Sequence, residues 1–471
     1  MTPHAGAPLA AMAVLLLAGC SSSSAVRTPT PTASSSTSKQ GGTATPCVQS
    51  WQLTSVLVPS GDDPKMTQLA AVAAITPDDV WAVGSTSRTG EGQGQPAETL
   101  VEHWDGTSWS IVPAPDVGNL TAAGGDRLTA ISAASSDDIW AVGYVGSPVI
   151  GWNPSYPGAG PEVSVQTLTE HWNGNAWSIV NAPDVADLDG LSGWDELTGV
   201  VAISSDNAWA VGATLWPLAE DNGYAVVAQP LIEHWNGQAW SISASVDPEA
   251  VPPAWALASP TYVSPPANAP AVGSSALGGV TARSATDVWV VGEYDVGILS
   301  YPPSPWETLT EHWDGTRWTV VQAPDATLPE PVNETRAAND ELMAAGTSSD
   351  GDLWAVGGAL PESALTLRLE SGAWQLVAAP ALSATYYAYG SYEIAGSDFL
   401  PGITPLAAIA VLGPSDAWAV GAVILQWAGS SWQPLYTLDG RMFDYLTGVA
   451  ATTSGGLWAV GGLSIVHGRC A

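Results

Sequence analysis

Basic residues are scarce in this chain. Lys and Arg number 11 against 45 Asp plus Glu, which leaves a formal net charge of −34. No acid precedes residue 47, so the negative charge belongs to the portion from Cys47 onward. A surface of that sign repels nucleic acid and anionic lipid and favours cations or neutral ligands. Charged residues of both signs make up only 12% of the chain, so Ser, Thr, Asn, Gly and Ala must cover much of the exterior. Cysteine is limited to Cys20, Cys47 and Cys470, without zinc-ligand spacing. Beyond the first twenty residues no segment shows sustained helical periodicity with caps. No Ser/His/Asp set, Gly-rich phosphate loop or dinucleotide fingerprint stands out. The apolar run at residues 9–18 is too short to cross a membrane.

What the chain does have is repetition. A phrase of the form Asp-x-Trp-Ala-Val-Gly comes round seven times with small changes, at Trp81, Trp140, Trp209, Trp289, Trp354, Trp418 and Trp458; Asn207 and Gly456 replace the Asp in two copies, and Trp289 is followed by Val-Val-Gly. A second phrase answers it downstream. Glu-His-Trp-Asp-Gly-Thr-Ser-Trp at 102–109 returns at 170–177, 233–240 and 311–318, with degraded copies at 369–374 and 426–432. Fixed-order self-similarity of this length indicates a stacked or radial repeat fold. The second unit shows its parts. Strands are expected at 128–133, 139–143, 167–172 and 176–180, cut by a turn at 135–138 and by Asn173-Gly174. Four short strands per repeat indicate propeller blades.

The seventh unit supplies three strands before the chain reaches Ala471. Residues 48–53 at the other end read as the missing fourth strand, with Trp51 in the repeat position. The expected fold is therefore all-β. It is a seven-bladed β-propeller of four-stranded antiparallel blades, closed by an N-terminal strand that completes the C-terminal blade. Closure brings Cys47 and Cys470 to the same turn, where they are expected to form a disulfide. By the chain-entropy model so long a loop gains roughly 5 kcal/mol.

Residues 1–20 end in Leu17-Ala18-Gly19-Cys20 and resemble a bacterial lipoprotein signal peptide with its lipobox. That resemblance implies lipidation at Cys20. Residues 21–46 are rich in Ser, Thr and Pro and read as a disordered tether, leaving 47–471 as the propeller. The expected location is the extracytoplasmic side of a membrane, held by the lipid.

The repeats resemble a broad group of bacterial secreted propellers, related in pattern to the BNR/Asp-box and kelch or galactose-oxidase-like families. The Asp-box of sialidases runs Ser-x-Asp-x-Gly-x-x-Trp, whereas Asp105-Gly106-Thr107-Ser108-Trp109 has Asp and Gly adjacent. The resemblance implies the fold; propellers host many activities. The three arginines with which sialidases hold a carboxylate are not marked by any motif here. Arg283 and Arg317 belong to the short-turn face. A copper site has no cysteine left to form it.

Of 24 tryptophans, 19 recur with the repeat and read as inter-blade packing. The others are Trp152, Trp194, Trp216, Trp255 and Trp306, all in connections between the second and third strands or between blades. Those connections share one face, here called the top, and include long segments such as 144–165, 213–229, 244–276 and 293–307. Long loops on a rigid scaffold are where binding residues gather. The five Trp, with Tyr224 and Tyr301, are the candidate ligand contacts; packing onto the propeller rim is the competing reading. His103, His171, His234 and His312 sit one blade apart and are expected to hydrogen-bond within their own blades. Asp126, Asp195, Asp340 and Asp444 each stand two residues before the leading Leu of a first strand. That place suits calcium or, more simply, turn chemistry. No cofactor is required.

These readings favour a binding propeller that takes a glycan or an envelope protein and works as a monomer, without nucleic acid. The first alternative is a glycan-active hydrolase or lyase using top-face carboxylates such as Glu196, Glu220, Asp221, Glu330 and Glu341. The second is a structural subunit of a cell-envelope complex.

Overall fold

The computed structural model describes residues 48–88, 96–117, 125–146, 165–185, 194–220, 223–246, 273–295, 306–325, 340–359, 363–380, 406–435, 445–452 and 456–470. The described residues form seven four-stranded sheets. Helix is slight; a 3₁₀ turn spans Pro64–Met66. Six sheets use strands in sequence order, here A to D from the centre outward. The seventh runs Val48–Ser55, Ser464–Cys470, Gly456–Gly461, Gly448–Ala451, so the N-terminal strand closes the ring as expected. Trp51 pairs with Gly468, the register in which Trp104 pairs with Trp109. Cys470 pairs through its backbone with Val48, and Cys47 lies outside the described residues.

The A strands are Gln68–Thr76, Asp126–Ser135, Trp194–Ser204, Ser274–Ser284, Asp340–Thr347, Leu406–Gly413 and Gly448–Ala451. Each touches the next in an unbroken circle, the last meeting the first. Each begins near a leading Leu that is almost fully buried, such as Leu69, Leu128 or Leu197. In blades 1 to 6 a bulge follows that Leu. In blades 2, 3 and 7 the next residue is Thr, and its hydroxyl ties two blades together. Thr129 Oγ1 donates to Leu197 O of the next blade at 2.6 Å, and Thr447 Oγ1 reaches Leu69 O across the ring closure at 3.3 Å.

The repeat phrase is legible as packing. Its Gly lies against the A-strand backbone just before the bulge. A Cβ on Gly143 would fall 1.9 Å from Arg127 O, and one on Gly357 1.9 Å from Glu341 O. The strand-B Trp is buried between blades, and the apolar clusters straddle every junction. Trp81 and Val83 of blade 1 pack with Leu128, Ile139 and Leu168 of blade 2, and Trp458 and Val460 of blade 7 pack with Leu69 and Leu100 of blade 1. The core is thus divided among the junctions, and the blades hold one another.

The four histidines do what their placement requires. Asp79 Oδ1 accepts from Trp81 Nε1 and His103 Nε2, both at 2.9 Å, and Asp287 does the same for Trp289 and His312. His171 meets Asp138 at 2.8 Å and His234 meets Asn207 at 3.3 Å. In blades 1 and 4 the shared aspartate holds the strand-B indole, and in blades 2 and 3 the histidine ring lies against it. The C–D turns of blades 1 to 4 are Asx turns: Asp105 Oδ1, for example, accepts from Thr107 N and Ser108 N, with Gly106 at φ 90°. These bonds hold Asp105 down at about 2.

One expectation needs correction. Residues 213–229 are not an irregular loop. Strands Asn207–Glu220 and Gly223–Trp235 stay paired out to Glu220 and Gly223, so blade 3 carries a long hairpin on the top face. The strand-forming run from Thr214 to Leu218 and Tyr224 to Ala228 continues the ladder past the end of the repeat phrase.

Candidate functional site

The two faces differ in kind. On the turn face, A–B and C–D turns interlock: Gly174 abuts Asp137, and Gly237 abuts Asp206. The top face carries the free variation. Two positions of the repeat meet there at three junctions: the residue after the strand-B Gly, and the residue before the leading Leu of the next blade.

At most blades the first position is small, as in Ser85, Ala213, Gly358 and Gly462, but it is Tyr144 in blade 2 and Glu293 in blade 4. The second is Arg127, Glu196 and Glu341 in blades 2, 3 and 5. Arg127 Nη1 donates to Ser85 Oγ at 3.4 Å across the first junction. Tyr144 is buried at the second, where burial raises its hydroxyl pKa, Arg127 opposes the rise and Glu196 adds to it. Burial pushes Glu196 up to about 7. At the junction of blades 4 and 5 burial raises Glu293 well above its usual value, and the like charge of Glu341 raises it further. Burial raises both carboxyls, and at the blade 4–5 junction a like charge adds to the rise, so Glu196 and Glu293 hold their protons to higher pH than a free glutamate does. Such groups can donate as well as accept hydrogen bonds, and can pass a proton.

Trp306 stands next to this junction, half-buried, with its carbonyl accepting from Asp340 N at 3.0 Å. Tyr294 donates to Glu307 Oε2 beside it. Trp194 is buried among Tyr144, Val165, Ala213 and Leu215, so its ring walls a core at the blade 2–3 junction. Trp216 and Tyr224 lie on the blade 3 hairpin, paired with Val227 and Ala219. Trp152, Trp255, Tyr301, Asp221, Glu330 and Cys20 lie outside the described residues.

Of the four aspartates expected to ring the mouth, Asp126, Asp195 and Asp340 are buried at the starts of their A strands, and Asp444 is outside the described residues. Asp126 Oδ2 accepts from Val117 N; burial, Asp116 and Glu98 raise its carboxyl to about 6 against that bond. Asp195 N donates to Val165 O at 2.9 Å. Asp184 accepts from Thr167 N and Oγ1, which fastens a blade to its own exit loop. Among the described residues no three His, Cys, Asp or Glu side chains gather as a metal site.

Glu196 and Glu341 are visible in the sequence as top-face carboxylates. Glu293 was missed. The signal that finds it is departure from the repeat: a Glu following the strand-B Gly, where other blades mostly keep a small residue.

The chain matches no protein-family model and no curated protein. Among solved structures it is similar to YCF48 from Cyanidioschyzon merolae, with a TM-score of 0.45 and 13% identity over 89% of this chain and 99% of that one. It is similar to a streptogramin B lyase, with a TM-score of 0.45 and 11% identity over 91% and 100% of the two chains. It is also similar to an ulvan lyase, with a TM-score of 0.42 and 10% identity over 86% and 95%. Likeness at these levels carries no argument about activity.

Proposed function

We propose that this chain is an extracytoplasmic binding propeller, tethered through a lipid on Cys20, whose top face holds a neutral or cationic ligand of the glycan or envelope-protein class. The observation that supports this most is the set of ionisable side chains Arg127, Tyr144, Glu196, Glu293 and Glu341 at the top ends of blades 2 to 5, where the residue after the strand-B Gly is small in the other five blades. Partly protonated carboxyls and an arginine on a rigid sheet end suit hydroxyl-rich ligands, and Trp306 adds an apolar surface beside them. The carboxyls of this face disfavour an anionic partner there. A glycan array probed with residues 47–471 tests it. Saturable binding that Glu293→Ala and Trp306→Ala weaken supports the reading; binding to none of the glycans, and to no envelope protein, removes it.

One observation favours a second reading. A carboxyl raised by burial beside another carboxylate is how acid–base pairs are divided into donor and acceptor. Glu293 and Glu341 would then serve a glycan-active hydrolase or lyase. Release of reducing ends or unsaturated sugars from a bound glycan, abolished in Glu293→Gln, would establish it.

A further inference from the structure

At five of the seven junctions the strand-B Trp meets a second indole from strand C of the next blade. Trp81 meets Trp172, Trp140 meets Trp235 and Trp354 meets Trp427, each with centroids 4.9 Å apart, and Trp209–Trp313 and Trp458–Trp104 stand at 5.3 Å. Several of these second indoles also donate Nε1–H to a turn carbonyl of their own blade, as Trp172 does to Ser136 O at 3.2 Å. They plug the junction on the turn face.

Between blades 4 and 5 the plug is missing. Leu369 holds the place, and the turn after it is a two-residue turn with Ser371 at φ 52° and Gly372 at φ 81°. Trp289 keeps its other neighbours, stacked on His312 at 4.3 Å and edge-on to Trp374 at 5.5 Å. An open depression of about 580 Å³ lies beside it, lined by Leu369 and rimmed by the exposed Ser371 and Gly372.

A second departure falls at the same junction. Arg283 lines the depression where the equivalent residues of other blades are Ile75, Ala134, Ile203, Ser348, Leu412 and Thr452, none of them charged. Its Nη1 meets Asp287 Oδ2 at 3.4 Å, one contact for a group with five N–H donors. Its stem runs along Gly351 of blade 5, where a Cβ would lie 3.9 Å from Arg283 Cδ and Nε. Blade 7 also lacks the indole, having Gly468, but Leu412 rather than an arginine adjoins that junction.

We propose that this depression binds a small aromatic carboxylate of indole size. Its ring stands where the other junctions keep an indole, against Trp289 and Leu369, and its carboxylate meets Arg283. An aromatic ring of that size restores the packing that Leu369 leaves unfilled. Asp287 also lines this site, but its Oδ1 is taken by Trp289 and His312, and the guanidinium, met by Oδ2 alone, keeps donors for a charge-assisted contact that a neutral ring cannot use. The site is on the face opposite the top-face carboxyls and does not depend on their function.

Fluorine NMR with 5-fluoroindole-3-acetate and neutral 5-fluoroindole tests the proposal on the purified protein. The acid should shift saturably below about 5 mM, the weak end expected for so small a ligand. Leu369→Trp should fill the depression and weaken both probes about tenfold or more. Arg283→Ile should leave neutral 5-fluoroindole nearly unchanged and weaken the acid about tenfold. No saturable shift, or equal binding in Leu369→Trp, overturns the site. If Leu369→Trp does not fold, the Arg283→Ile comparison decides alone: equal loss of acid and neutral probe, or loss of neither, overturns it.

Discussion

Replacing Glu170 with Leu should stabilise the propeller at neutral pH. Glu102, Glu170, Glu233 and Glu311 occupy one place on the C strands of blades 1 to 4, and all four are fully buried. Glu102 Oε1 accepts from Leu57 N at 2.8 Å, and Glu311 accepts from Ser245 Oγ at 2.5 Å and Val246 N at 3.2 Å. Leu57 and Val246 each stand six residues past the strand-D Trp of the preceding blade. Ahead of Glu170 and Glu233 that place is Pro115 and Pro183, which have no N–H to give. No protein donor or acceptor reaches either oxygen of Glu170 or Glu233. Where Pro324 and Pro380 hold the place, the facing residues are Leu367 and Leu425, so blades 5 and 6 are matched and blades 2 and 3 are not.

Burial, reinforced by Asp116 and Asp126, pushes Glu170 up from 4.5 to about 8. Below pH 4.5 the carboxyl is protonated folded or unfolded, and no titration cost arises. Above it the folded protein holds a proton that the unfolded chain has released, so stability falls by about 1.4 kcal/mol per pH unit until the folded pKa is passed. At pH 7 the loss is about 3 kcal/mol. Leu removes it and also removes an unsatisfied polar group. Glu170→Leu should therefore gain about 3 kcal/mol or more in urea unfolding at pH 7, with the gain shrinking by about that amount at pH 4.5. Glu102→Leu is the control: it strands Leu57 N–H and should gain less. A Glu170→Leu protein that is less stable at pH 7, or whose difference from wild type ignores pH, would refute the reasoning.

Trp209→Ala should cost roughly 3–5 kcal/mol in the same assay, because the ring is buried between His234, Trp313 and Trp318. Non-reducing peptide mapping should recover Cys47 joined to Cys470; two free thiols would end that pairing. Cys20→Ala should leave the protein unprocessed or released from the membrane fraction, and wild-type fractionation would remove the lipid anchor.

The fold could be read from the sequence because every element of the repeat phrase has one structural job. The Trp fills a junction, the Gly admits the A-strand carbonyl, and Asn-Gly or Asp-Gly makes the C–D turn. Ring closure was legible because Trp51 repeats a position that seven blades need and six supply internally. The hairpin at 213–229 was not, since the phrase ends at Gly212 and ladder growth beyond it depends on strands already paired. Site residues are harder, because aromatic type alone does not separate a surface ring from a core one. Trp194 and Trp306 look alike in sequence, yet Trp194 closes an apolar cluster and Trp306 stands half-exposed beside acids. Glu293, Arg283 and Leu369 show the better signal, a chemical departure at a position whose structural role the other blades define.

Hydrogen exchange on residues 47–471, with and without the best-bound glycan or envelope protein, tests the central claim most directly. Ligand should slow exchange at 142–146, 195–197, 292–295 and 340–342, the strand ends of the top face in blades 2 to 5, and leave the C–D turns at 105–108 and 173–176 unchanged. Protection confined to those turns, or spread evenly over all seven blades, would contradict a top-face binding site.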